Sequence, residues 1–265
     1  MAYRLQLGIK TGASMNIVAF NSSPRENKTS KTELVLQKFL AGARQAGAAT
    51  ETIYLRQYRI KHCLGCFSCW LGNKGQCVQQ DDMTGELLGH LMEADLAVLA
   101  TPLYHFNMNA RMKSFIERTL PLMNPITAHS GRRLSPPWAA KAPKIAAVSV
   151  CAFPEDYNFQ ALSMNLRMLY GTDLVAEIYR HSSEFLTALP LQLRVEEVLD
   201  AVARAGYEVV RQGQVSPETM NAISQNLAPL ETLIDMANRF WGKEMEEEEV
   251  TGAVGVDGEG VDKYV

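Results

Sequence analysis

Two apolar spacings alternate along the chain. Short unbroken runs such as Asn16-Ile17-Val18-Ala19-Phe20 and Leu96 to Ala100 read as buried strands. Between them, apolar residues recur three and four apart, as Leu34, Val35, Phe39, Leu40 and Ala43 do, which is the stripe of a helix facing a core. The pattern predicts strands at Asn16–Phe20, Thr50–Leu55, Leu96–Ala100, Lys144–Val150 and Leu174–Tyr179. It predicts helices at about Ser30–Gly47, from Asp81 or Asp82 to about Ala94, at Ala110–Met123 and at Tyr157–Tyr170. Two further helices follow, Val195–Gln212 and Pro217–Phe240. Gly47 is expected to end the first helix, and Asp81 or Asp82 to cap the second.

Strands alternating with helices imply a parallel sheet covered on both faces. Five such strands match the flavodoxin-like three-layer α/β sandwich, whose ligands sit beyond the C-terminal ends of strands one and three, where the strand order reverses. Residues 1–14 read as an N-terminal extension and 15–243 as one domain, interrupted by a cysteine-rich insertion at 62–80. A proline-rich loop spans Asn124 to Pro143. From Glu244 onward eight acids face the single base Lys263 among several glycines, a composition expected to be disordered.

Composition narrows the function classes. No stretch approaches the roughly 18 apolar residues of a membrane helix, and the first residues do not form a signal peptide. No basic stripe with interleaved aromatics suggests nucleic acid. The expectation is a soluble cytoplasmic protein with no membrane or nucleic-acid partner.

The first strand runs directly into Asn21-Ser22-Ser23-Pro24-Arg25-Glu26-Asn27-Lys28-Thr29-Ser30-Lys31-Thr32 and then a helix. A polar turn at a helix start is an anion site, because free N–H groups and the helix dipole both favour phosphate. Ser23, Thr29, Ser30 and Thr32 add hydroxyls, and Arg25 adds charge. Neither G-x-G-x-x-G nor a Gly-Lys-Ser/Thr loop is present, so the loop suits a single terminal phosphate such as that of FMN. This segment resembles the Gly-Ser-Pro-Arg…Asn-Thr loop of the NADPH-dependent FMN reductase family, with Ser23, Pro24 and Arg25 on its Ser-Pro-Arg and Ser30 on its phosphate-contacting position. Ser22 and Lys28 stand where that family often has glycine.

After the third strand, Thr101-Pro102-Leu103-Tyr104-His105-Phe106-Asn107-Met108-Asn109 reaches the switch point. An apolar, aromatic loop of this kind can pack on a flavin ring. Together with Lys113, Phe115, Ile116, Glu117 and Arg118 it is similar to the same family's Ser-Pro-x-Tyr…Lys-x-Phe-Ile-Asp-Arg stretch. The resemblance implies cofactor contacts from Pro102, Leu103, Tyr104, Asn107 and Met108, and from Cys151, Ala152 and Phe153 after the fourth strand. His105 is a candidate proton donor beside the ring.

Four of the five cysteines, Cys63, Cys66, Cys69 and Cys77, follow a C-x2-C-x2-C-x7-C spacing. A triple run of this kind delivers three thiolates from one loop and suits [4Fe–4S] better than zinc, which more often takes two separated pairs. Zinc and free thiols remain alternatives, as do disulfides, which an intracellular chain disfavours. The run resembles that of the iron–sulfur flavoproteins of anaerobes, a subfamily in which the motif binds a [4Fe–4S] cluster beside FMN and the subunits form homo-oligomers with sites at their interfaces. That resemblance implies a homodimer or homotetramer, with Arg132, Arg133 and Trp138 of the proline-rich loop as interface candidates.

The expected function is thus an FMN-dependent electron-transfer oxidoreductase coupled to a [4Fe–4S] cluster. Its redox partner would be a ferredoxin-like protein or NAD(P)H, with a small-molecule acceptor. Two alternatives stand beside it: an NAD(P)H-dependent FMN or quinone reductase without a cluster, and a non-catalytic, zinc-stabilised binding module.

Overall fold

The chain runs β1 (Asn16–Asn21), α1 (Lys31–Gln45), β2 (Ala49–Tyr54), α2 (Ser68–Leu71), α3 (Leu88–Glu93), β3 (Leu96–Tyr104), β4 (Asn107–Met108), α4 (Ala110–Glu117), β5 (Lys144–Val150), α5 (Gln160–Tyr170), β6 (Leu174–Arg180), α6 (Gln192–Gln212) and α7 (Pro217–Ser224). This computed structural model describes residues 14–26, 29–72, 75–123, 142–239 and 242. The expected N-terminal extension (Ser14 apart), Arg132, Arg133 and Trp138 of the proline-rich loop, and the acidic tail fall outside the described residues.

The sheet order is β2-β1-β3-β5-β6, all parallel, so the strand order reverses between β1 and β3. The sheet has six strands rather than the expected five. The extra one, β4, turns back antiparallel on the end of β3, pairing Leu103 with Met108 and Tyr104 with Asn107. β3 itself continues to Tyr104, past its expected end at Ala100.

One face of the sheet packs Val18, Phe20, Leu99 and Ala147 against Met112 and Phe115 of α4, Leu91 of α3 and Leu162 and Leu166 of α5. The alternate residues Ile17, Ala19, Val98 and Val148 are buried on the opposite face. There α1 and α6 pack together, with α1 also on β3 and β5. The two helices cross backbone to backbone. A Cβ on Gly42 would sit 1.6 Å from the Ala203 carbonyl oxygen, and one on Gly206 would sit 1.9 Å from that of Phe39. α1 opens on Ser30, whose hydroxyl accepts the Glu33 N–H, and closes before Gly47, which takes the left-handed φ of +98° that the next turn requires.

Three helix expectations need correction. The helix expected over Ala110–Met123 stops at Glu117, and Pro121 sits in a separate tight turn, Leu120–Leu122, because it cannot donate to a continuing helix. Asp82 does stand at the N-cap of the second expected helix, but neither carboxylate makes a capping bond: that of Asp82 accepts the Arg59 N–H at 2.6 Å, and Asp81 is taken by Arg118. That helix instead begins with a widened turn at Met83–Leu87. The helix expected over Pro217–Phe240 breaks: α7 ends at Ser224, and a second helix covers 230–239. Pro229 explains the break, since a proline disfavours helical backbone in the residue before it. Among the described residues, those up to Gln225 and those from Asn226 onward fall into separate compact units. Among the described residues no helix is long and apolar enough to cross a membrane.

Candidate functional site

Three loops at the C-terminal ends of β1, β3 and β5 come together at the reversal point. In the first, Ser22 and Ser23 are buried. The Ser22 N–H and hydroxyl both donate to the Ala100 carbonyl, at 2.9 and 3.2 Å. The Ser23 N–H donates to Asn21 Oδ1 at 2.8 Å, and Asn21 Nδ2 donates to Glu33 Oε2 at 2.6 Å. The hydroxyls of Ser23 and Ser30 touch at 2.8 Å. With the leading N–H groups of Lys31 and Thr32, which have no intrahelical acceptor, these hydroxyls form a cluster of donors at the start of a 15-residue helix. That donor set fits a phosphate. Thr32 is buried beneath the loop, whereas Arg25 and Thr29 lie on its exposed side.

The second loop is fastened to the first by Asn109. Its Nδ2 donates to the Ser22 carbonyl at 2.7 Å, and its Oδ1 accepts the Met112 N–H at 3.1 Å, capping α4. The Asn109 N–H donates to the buried Thr101 hydroxyl oxygen at 3.1 Å. Pro102 and Met108 are buried, Leu103 and Asn107 half-buried, and Tyr104, His105 and Phe106 exposed. His105 and Phe106 form the two-residue turn between β3 and β4 with φ of 47° and 62°. Both lie in the left-handed region, which such hairpin turns normally assign to Asn-Gly.

In the third loop the Cys151 side chain is 5% exposed and packs in the core, where burial pushes its thiol pKa up. Ala152 is half-buried and Phe153 is 70% exposed. A fourth segment, following β6 and absent from the residues expected at the site, packs against these loops. The Ser183 N–H donates to the Cys151 carbonyl at 2.8 Å and the Ser182 N–H to that of Phe153 at 3.0 Å. From the same segment Glu184 pairs with Arg25 at 3.2 Å, and the Thr187 hydroxyl accepts from Lys31 Nζ at 2.7 Å. Burial lowers the Lys31 pKa, against the pull of Glu184. The signal was available: Ser182-Ser183-Glu184 is a polar run at the C-terminal end of a parallel strand.

The four clustered cysteines line one pocket with Glu117, Arg118, Leu120 and Pro121. Gly65, Phe67 and Gly75 turn the loop with φ of 63°, 53° and 78°. Trp70 Nε1 donates to the Leu120 carbonyl at 3.0 Å, His62 Nδ1 meets the Ser114 hydroxyl at 3.0 Å, and the Gly75 N–H donates to the Cys69 carbonyl at 2.9 Å. The loop is thereby held against α4 and the turn after it. All four thiols are free. Burial, aided by the three neighbouring thiols, raises the Cys69 pKa; hydrogen bonding from Ser68 lowers that of Cys66. Four thiols on one pocket fit a thiolate-bound group in donor type and number. Among the described residues no three His, Cys, Asp or Glu side chains are gathered closely enough to hold a single metal ion as they stand.

A separate groove of about 1090 Å³ lies elsewhere, along α5 and β6 between Phe159, Met164, Glu177, Tyr179 and Met220. It is an open groove of the sheet edge, and none of the residues expected to bind a cofactor lines it.

The strand order and the loops gathered at its reversal define a flavodoxin-like α/β protein. The model of the NADPH-dependent FMN reductase family matches residues 15–168, more than half of the chain, and the chain belongs to that family. An iron–sulfur flavoprotein of Archaeoglobus fulgidus is 37% identical over 107 residues, covering 40% of this chain and 46% of that protein. The chain spans about half the length of the curated relatives it matches. In fold, it is similar to an NAD(P)H:quinone oxidoreductase from Methanothermobacter marburgensis (TM-score 0.54, 18% identity, covering 74% of this chain and 98% of that one). It is also similar to an FMN-dependent NADH-azoreductase from Bacillus anthracis solved in complex with FMN (TM-score 0.53, 13% identity, covering 74% and 99%).

Proposed function

We propose that the chain binds FMN across the β1, β3 and β5 loops and works as a flavin-dependent oxidoreductase that exchanges electrons with a [4Fe–4S] cluster held by Cys63, Cys66, Cys69 and Cys77. The observation that carries this reading is α4. Asn109, in the second cofactor loop, caps its start, and Arg118, on the cysteine pocket, follows its end. Eight residues at 1.5 Å each leave only about 12 Å of helix axis between the two places. FMN supplies exchange of an electron pair, the cluster exchange of one electron at a time, and the protein supplies their placement.

The chain's own part follows from its contacts. Ser23, Ser30 and the start of α1 receive the phosphate, and Arg25 exchanges Glu184 for it. The hairpin from Pro102 to Met108, together with Phe153, would line the flavin ring, and exposed Tyr104 and Phe106 would help screen it from water. His105, at the hairpin tip, would be the residue to hand a proton to a bound acceptor. NAD(P)H or a ferredoxin-like protein serves as electron partner. Exposed Tyr104, Phe106 and Phe153 suit burial in a homodimer or homotetramer. Five free cysteines suit the cytoplasm.

The match to the NADPH-dependent FMN reductase family favours a second reading, an NAD(P)H-dependent FMN or quinone reductase without a cluster. Anaerobic purification with iron, sulfide and zinc analysis and a visible spectrum separates the two. Iron and sulfide with broad absorption over the flavin bands are expected. Resolved flavin bands without iron select the second reading, zinc in their place selects a structural metal, and a colourless protein that takes up no FMN overturns both flavin readings.

A further inference from the structure

Arg118 is buried to 1% exposure where α4 meets the cysteine loop. Its guanidinium grips Asp81 with two prongs, Nη1 to Oδ2 at 2.6 Å and Nη2 to Oδ1 at 2.9 Å. The same Nη1 donates to the Lys61 carbonyl at 2.9 Å, while Asp81 Oδ2 accepts the Lys61 N–H at 2.9 Å. Both feet of the cysteine loop, Lys61 and Asp81, are therefore fastened to one guanidinium. Within this pair the roles differ. Arg118 lines the pocket that the four cysteines share, and Asp81 does not. The Arg118 Nε–H is buried and has no hydrogen-bond partner among the described residues, an arrangement that calls for an explanation in a native protein. Burial works against the guanidinium charge, the pair with Asp81 more than offsets it, and the neighbouring Cys77 thiol adds to the net upward shift of the Arg118 pKa.

We propose that Arg118 is a positioning residue that sets the reduction potential of the group held by Cys63, Cys66, Cys69 and Cys77, with Asp81 as its moderating counter-ion. The proposal rests on the cluster reading given above. Accepting one electron makes a thiolate-bound cluster more negative by one charge, and a buried cation at its wall stabilises that reduced form more than the oxidised one. Asp81, on the far side of the guanidinium, weakens the effect without cancelling it. Removing the cation and removing the counter-ion must then shift the potential in opposite directions, which loosening of the loop cannot do.

The test is an anaerobic titration of the full chain with one-electron dyes, following the cluster's visible or paramagnetic signal, in wild type, Arg118→Gln, Arg118→Lys and Asp81→Asn. Iron content and FMN retention establish that each variant is loaded and folded. Arg118→Gln is expected to make the cluster about tenfold harder to reduce, which is ~59 mV for one electron. Asp81→Asn is expected to make it easier to reduce by a similar factor, and Arg118→Lys to stay within about threefold of wild type. If Arg118→Gln does not fold, the sign of the Asp81→Asn shift decides. Equal signs in the two variants, or shifts under twofold in both, overturn the proposal. Wild type without iron and sulfide fails at the earlier step, so the cluster reading falls visibly before the role of Arg118 is at issue.

Discussion

Replacing Asn109 with alanine tests whether the site spans two loops. The side chain does two things: Oδ1 caps α4 through the Met112 N–H, and Nδ2 holds the Ser22 carbonyl of the phosphate loop at 2.7 Å. Losing the cap costs about 1 kcal/mol. Leaving the buried Ser22 carbonyl without its donor costs about 1–3 kcal/mol. The sum, about 2–4 kcal/mol, is an upper figure because both effects pass through one residue. Asn109→Asp separates them. A carboxylate still caps the helix, where negative charge is favoured, but it turns an oxygen toward the Ser22 carbonyl and places a charge beside the phosphate loop. Urea unfolding should therefore show Asn109→Ala destabilised through both contacts and Asn109→Asp through the staple alone. FMN affinity, read by quenching of its fluorescence, should fall about tenfold in the alanine variant, equivalent to ~1.4 kcal/mol, and further in the aspartate variant. If both variants are destabilised yet bind FMN as wild type does, the two loops do not form one site.

Arg25→Ala should leave stability within about 0.5 kcal/mol, because its pair with Glu184 is exposed, while weakening FMN binding in a salt-dependent way that isothermal titration at two ionic strengths detects. Gly206→Ala should destabilise by about 3 kcal/mol, the upper end for overpacking, since the new methyl meets the Phe39 carbonyl oxygen at 1.9 Å and backbone cannot give way as a side chain does; urea midpoints measure it. Burial pushes the Glu208 carboxyl upward, but the Ser216 N–H and the Thr219 and Ser216 hydroxyls hold it net below its ordinary 4.5. A carboxyl depressed on folding contributes stability above its unfolded pKa and loses it as pH falls through the folded value. Wild type should therefore lose more stability than Glu208→Gln on acidification below that range, as thermal melts at stepped pH would show.

What local pattern could reveal depended on which forces decide each element. The parallel strands were readable because burial on both faces demands continuous apolar runs, as in Leu96–Ala100. The phosphate loop was readable because its chemistry is local: a strand end, hydroxyls and a helix cap lie within a dozen residues. The segment after β6 left only the local trace of its polar run, Ser182-Ser183-Glu184; what it touches comes from contacts across more than 150 positions of sequence, Glu184 with Arg25 and Thr187 with Lys31. The missing capping bonds of Asp81 and Asp82 have the same origin. Both carboxylates suit a helix start, and both are drawn away, one by the guanidinium of Arg118 just past α4 and the other by the backbone N–H of Arg59.

The hairpin at Leu103–Met108 shows why a site resists local reading most of all. Tyr-His-Phe-Asn carries no turn signature, and holding His105 and Phe106 in left-handed backbone costs roughly 1–2 kcal/mol each. A two-residue turn with that penalty does not form by preference; it persists only where its base is held. Here the base is held from three sides, by the Thr101–Asn109 bond, by the ladder between Leu103 and Met108, and by the Asn109 staple to Ser22. The strain is thus carried by contacts that also assemble the cofactor loops. Phe106→Gly separates the two consequences: it removes the strain at one position and should firm the hairpin by about 1 kcal/mol, yet it deletes an aromatic ring from the mouth of the site. A variant that is more stable and slower in NAD(P)H-dependent flavin reduction would show the strain to be kept for function. One that is more stable and equally fast would show that the hairpin serves only to close the end of the sheet.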